Sequence, residues 1–85
     1  MEKYHTILID TYNDHFMGAN FKKYGFSSQK ELKEAVEYLG DINYVESNTR
    51  TQTKDGKVKF GALGESMDIY ITDAGKAYLK HHGLI

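Results

Sequence analysis

The 85-residue sequence contains no cysteine, no proline and no tryptophan. Without cysteine there is neither a disulfide nor a thiolate metal site, so packing alone must hold the core. The same absence fits a reducing cytoplasm, the expected compartment. Without proline, the turns fall to glycine, asparagine and aspartate. An excess of one charge is also missing: 11 Lys and Arg stand against 12 Asp and Glu, a formal net charge of −1. That balance excludes a chain that coats nucleic acid by bulk positive charge, and an acidic disordered tail. Long apolar runs are absent too. The uncharged stretch Tyr4–Ile9 is far shorter than the about 20 residues that span a bilayer. Asp10 interrupts it before the about 7–15 apolar residues of a signal peptide. Position 2 is Glu2 and the C-terminus carries no cysteine, so no lipid anchor is expected.

What is present reads as one globular domain, residues 1–85. Hydrophobic residues make up 40% and charged residues 27% of the chain, close to ordinary globular composition. Tyr4, Leu8, Tyr12 and Phe16, with Ile7, form the apolar stripe of a helix predicted from Glu2 to about Met17, with Gly18 as its stop. Residues 19–25 allow one or two further helical turns, with Phe21 and Tyr24 facing inward. Ser28-Gln29-Lys30-Glu31 reads as a capping box. Leu32, Ala35, Val36 and Leu39 mark the inner face of the helix that follows, and Gly40 is its expected end.

Extended chain comes next. Ile42–Val45 is a strand candidate, and residues 46–61 read as a long hairpin around Lys54-Asp55-Gly56-Lys57, with Asp-Gly suited to a type I′ turn. Gly61 and Gly64 bracket a predicted bend, and Asp68–Thr72 is a last strand with Ile69 and Ile71 on one face and Tyr70 on the other. Thr72 can cap a final helix carrying Ala74, Ala77, Tyr78 and Leu79 to about His82, ended by Gly83. Three helices with a short middle one, a β-hairpin wing and a C-terminal helix make an α+β winged helix-turn-helix.

Two stretches carry a family resemblance. Ile71–Gly83, ITDAGKAYLKHHG, resembles the strand-to-final-helix junction of small bacterial winged-helix proteins, and Ser27–Val45 resembles their third helix and following strand. The chain as a whole resembles the YjcQ-like winged-helix family, its short middle helix included. The resemblance implies a winged-helix fold of bacterial or phage origin, and no particular activity.

Winged helices that bind DNA place the third helix in the major groove and the wing on backbone or minor groove. On that plan Lys22, Lys23, Gln29, Lys30 and Lys33 would meet DNA from the helices. Arg50, Lys54, Lys57 and Lys59 would meet it from the wing. The two regions differ in charge. Residues 27–40 carry a net −1, because Glu31, Glu34 and Glu37 outnumber two lysines, whereas residues 47–61 carry +3. Glu34 and Glu37 would be repelled by phosphate, so the wing holds the stronger signal. Asn48, Thr49, Thr51 and Thr53 add donors for phosphate, and are also ordinary strand formers. Lysines on a hairpin equally protect a strand edge from aggregation. The competing expectation is a protein-interaction module on the same scaffold, its acidic third helix facing a partner or a second copy, with Tyr38 and Tyr44 the tyrosines to inspect for exposure.

Nothing in the pattern predicts an enzyme, a cofactor or a metal. His5 and His15 are ten residues apart and His81 and His82 are adjacent, so neither pair has the i,i+4 spacing of a helical metal site. Gly61-Ala62-Leu63-Gly64 lacks the Gly-Lys-Ser/Thr ending of a phosphate loop.

Overall fold

The structure is a computed structural model that describes residues 2–61 and 69–85. Helix α1 (Glu2–Tyr12) buries Ile7, Leu8 and Thr11. The Thr11 hydroxyl satisfies itself on the Ile7 carbonyl at 2.7 Å. The helix stops well short of Met17 because Asp14 turns left-handed, with φ 59°. His15 N–H then donates to the Asp10 carbonyl at 2.7 Å and Asp14 N–H to Thr11 at 3.3 Å, the paired bonds of a Schellman ending. Tyr12 is therefore 40% exposed rather than in the apolar stripe. Phe16, now beyond the helix, still stacks on Tyr24 at 5.3 Å. The predicted short element is a 3₁₀ turn, Phe21–Tyr24.

Helix α2 (Gln29–Asp41) starts where Ser28 predicts, its Oγ accepting from Glu31 N–H. Glu31 reaches back to Ser27 N–H, one residue before the cap. Gly40 does not end this helix. Asn43, at φ 65°, does so through Tyr44 N–H to Leu39 and Asn43 N–H to Gly40. Asparagine and aspartate tolerate the left-handed region, which is how the chain stops helices away from glycine. Because residues 42–43 form this cap, the strand predicted at Ile42–Val45 starts later, as β1 (Val45–Ser47).

Strands β2 (Thr51–Gln52) and β3 (Val58–Lys59) pair antiparallel, Thr51 opposite Lys59. Outside them β1 pairs antiparallel with β4 (Ile69–Ile71), Val45 opposite Ile71, so the two ladders are nested. The hairpin turn is not type I′, since only Gly56 has a positive φ, 83°. Gly56 N–H closes the turn on the Thr53 carbonyl at 2.9 Å, and Gly56 then forms a glycine bulge. The bend expected toward Gly64, and Asp68, lie outside the described residues.

Thr72 caps helix α3 (Asp73–His81) as predicted, and Gly83 at φ 68° ends it. Ile69 and Ile71 face inward while Tyr70 is 47% exposed, as the alternation predicts, but Ala77 lies on the exposed side of α3. Ile7, Leu8, Leu32, Val36, Leu39, Val45 and Leu79 form a core shared by all three α-helices and β1. The result is a small α+β domain. Among the described residues no helix is long and apolar enough to cross a membrane.

Tyr24 ties the 3₁₀ turn to α1. Its hydroxyl accepts from Met17 N–H at 2.9 Å and donates to Asp10 Oδ2 at 2.8 Å. Burial pushes the phenol up to about 12; the Asp10 carboxylate adds to the rise and the Met17 N–H works against it. The fold thus favours the neutral phenol. That contribution is complete below the ordinary value of 10.0 and is lost as pH rises through about 12. Tyr24→Phe is expected to lower stability by about 1–2 kcal/mol at neutral pH, measured by urea denaturation. The gap between the two proteins should close as pH climbs through that window.

Candidate nucleic-acid interface

The candidate interface is built by how the hairpin sits on α2. In β3 and the residue after it, Val58 and Phe60 turn their side chains into the core while their N–H groups point away from β2. Carboxylates of α2 receive both: Val58 N–H donates to Asp41 Oδ1 at 2.7 Å and Phe60 N–H to Glu37 Oε2 at 3.0 Å. The spacings match. Four helical residues rise about 6 Å and two strand residues about 6.6 Å, so an i,i+4 carboxylate pair meets an i,i+2 pair of strand amides. Gly40 lets the two approach, because a Cβ there would stand 2.7 Å from Phe60 Cζ and 3.0 Å from Val58 Cγ1. Lys59 completes the contact with its Nζ 3.7 Å from Glu37 Oε1.

This docking redistributes the charge of α2. With Asp41 included the helix carries −2, yet Glu37 is 5% exposed and both Glu37 and Asp41 face the hairpin. Glu31 holds Ser27 N–H at 2.9 Å. Glu34 is exposed and helps to line three neighbouring concavities.

The nine predicted DNA-facing residues fall into three groups. Lys30 and Lys33 of α2 and Lys59 of β3 come together around one concavity of about 330 Å³, with Glu34 and Glu37 on its wall. Lys57 lines the neighbouring one, and Lys54 stands at the exposed hairpin tip. Lys22 is exposed on the 3₁₀ turn. Three other members are engaged within the fold. Lys23 pairs with Asp10 at 2.8 Å, Arg50 with Glu46 at 3.5 Å, and the Gln29 amide donates to the Gly18 carbonyl. Among the described residues Lys22, Lys30, Lys33, Lys54 and Lys57 form no ion pair.

Most of the hydroxyls expected to reach phosphate hold the hairpin together instead. Thr49 Oγ1 bonds Ser47 Oγ at 2.9 Å and accepts from Gly61 N–H at 3.0 Å. Thr53 accepts from Lys57 N–H at 3.1 Å and donates to Asp55. That hydroxyl is the main reason the Asp55 carboxyl sits below its usual range, with its own backbone N–H and Lys57 helping.

Sequence reasoning missed the docking role of Glu37 and Asp41. Their i,i+4 spacing was visible, but its meaning depends on which strand edge lies opposite. It also missed the groove between α1 and α2, where Tyr4 and Tyr38 meet at 5.5 Å beside Phe26. Of the two tyrosines singled out, Tyr38 is 44% exposed, whereas Tyr44 is half-buried on Tyr78 at 5.0 Å. His5 and His82 do meet across α1 and α3, both packed on Tyr78, with His5 Nε2 2.7 Å from the Tyr78 hydroxyl. Among the described residues no group of three or more metal-ligating side chains is gathered. The chain matches no protein-family model, no curated protein and no solved structure.

Proposed function

We propose that this chain is a DNA-binding winged-helix domain of the YjcQ-like kind, acting as a small transcriptional regulator of bacterial or phage origin. The observation that carries the reading is the shared concavity of Lys30, Lys33 and Lys59, which puts cations from α2 and from the hairpin on one surface. The order of helices, nested strands and final helix supports the winged-helix assignment. The turning of Glu37 and Asp41 onto the hairpin lessens the repulsion that α2 would otherwise offer to phosphate. The helix would lie along the major groove by its N-terminal half, and the hairpin lysines would hold backbone phosphates on one side.

The test is the salt dependence of binding to a mixed-sequence duplex, followed by fluorescence anisotropy. Each neutralised phosphate contributes about 0.9 to the slope of log affinity against log salt. Replacing Lys30, Lys33 and Lys57 together with alanine should reduce that slope by up to about 2.7. Lys59 is left in place because it pairs with Glu37. Absence of duplex binding even at low salt would end the proposal. A protein-interaction module is the second reading, favoured by the exposure of Tyr38 beside the α1–α2 groove.

A further inference from the structure

We infer that the groove between α1 and α2 is the contact by which two copies of this chain form a symmetric dimer. The groove has a volume of about 380 Å³. Aromatic rings line it: Tyr4 and Tyr38 lie 5.5 Å apart at 36°, and Phe26 joins them in the lining. Tyr38 is 44% exposed, a large side chain only half covered by its own fold. Its two rims carry opposite charge. Lys3 stands on the α1 side, its Nζ 4.8 Å above the Phe26 ring, and Glu31 and Glu34 stand on the α2 side.

That arrangement is self-complementary. A two-fold contact joins the same patch on both copies. With the axis along the groove, the α1 rim of each copy lies over the α2 rim of the other. Lys3 then meets Glu34 and Glu31 of the second copy, twice per dimer, and Tyr38 lies on the second copy's Tyr4. A purely basic or purely acidic partner would match one rim and be repelled by the other, so the mixed rim favours a second copy. Tyrosine is also among the residue types enriched at the anchors of such contacts. The dimer goes beyond the DNA-binding reading and does not depend on it. The groove shares Glu34 with the Lys30–Lys33–Lys59 concavity, and none of those three lysines lines the groove itself.

The experiment is sedimentation velocity of the full chain from about 1 µM to 1 mM, the span of weak to moderate dimers. The wild-type protein should shift from monomer to dimer across it. Lys3→Glu and Glu34→Lys, both at exposed positions, should each weaken self-association at least tenfold, because each places like charges opposite one another at both contacts. Mixed in equal amounts, the two variants should recover dimer, since each restores opposite charges against the other. Tyr38→Ala should weaken the wild-type dimer about tenfold or more. Circular dichroism confirms that each variant stays folded. A wild-type chain that is monomeric throughout overturns the inference and returns the groove to a different partner. So does a pair of charge variants whose mixture gains nothing over either alone.

Discussion

Replacing Gly75 with alanine is expected to lower stability by about 3 kcal/mol or more, far beyond what its position in a helix predicts. On propensity alone the change should help, since glycine costs about 1 kcal/mol against alanine in a helix interior. The contact reverses the sign. A Cβ on Gly75 would run into the Tyr44 carbonyl oxygen and stand 2.7 Å from Ile71 Cγ1. The Tyr44 carbonyl cannot step aside, because it accepts from Thr72 N–H at 3.1 Å, the bond that brings the start of α3 to β1. Relief would require α3 to pull away from the sheet, and Leu79, which is fully buried, would move with it. At about 0.05–0.15 kcal/mol per residue a domain of this length holds about 4–13 kcal/mol, so the loss is a large share of the whole. In a thermal melt it amounts to roughly 12–24 °C. Gly83→Ala is the control. It strains a left-handed residue, at φ 68°, but meets nothing within 4 Å, so it should cost only about 1 kcal/mol.

The contrast between these two glycines shows how far the sequence could be read. Gly83 follows an apolar helical face, and that local pattern announces a helix stop. Gly40 offers the same local pattern after Leu39, yet it lies inside α2, packed against Phe60 from a segment twenty residues away, and the left-handed turn that ends the helix falls at Asn43. Local chemistry was legible: the Ser28 and Thr72 caps, the alternation of Ile69, Tyr70 and Ile71, and the inward Leu32, Val36 and Leu39 all lie where periodicity and capping place them. What depends on a distant partner was not. Asp14 and Asn43 are ordinary surface residues in sequence, and only the chain's path makes them helix ends. The same holds for the candidate interface. Charge counting located the basic hairpin and the acidic helix correctly but treated their carboxylates as exposed charge, when two of them hold the hairpin's free edge. An unpaired strand edge invites aggregation, and here backbone donors that would otherwise be open are met by side chains.

Glu37 therefore offers a substitution whose consequences separate charge from position. Glu37→Ala removes the acceptor for the Phe60 N–H, which is buried with its residue at 5% exposure, and leaves Lys59 without its partner. Hydrogen bonds to charged groups contribute about 1.5–3 kcal/mol, so a loss of about 2–3 kcal/mol is expected in urea denaturation. Glu37→Gln keeps a carbonyl oxygen for Phe60 N–H and removes only the charge. Lys59 is half exposed and can turn its charge to water, while the buried bond to Phe60 becomes a neutral one, so the cost should be about 1 kcal/mol, less than that of alanine. On DNA the two variants should diverge in sign. Glutamine removes one negative charge from the wall of the lysine concavity and leaves the hairpin in place, so duplex affinity should rise. Alanine removes the same charge but loosens the hairpin from α2, so Lys57 and Lys59 lose their fixed relation to Lys30 and Lys33 and affinity should fall. Bulk charge alone predicts that both variants bind DNA more tightly. Equal gains for alanine and glutamine, read by anisotropy at one salt concentration, would mean that the docked hairpin plays no part in holding the duplex.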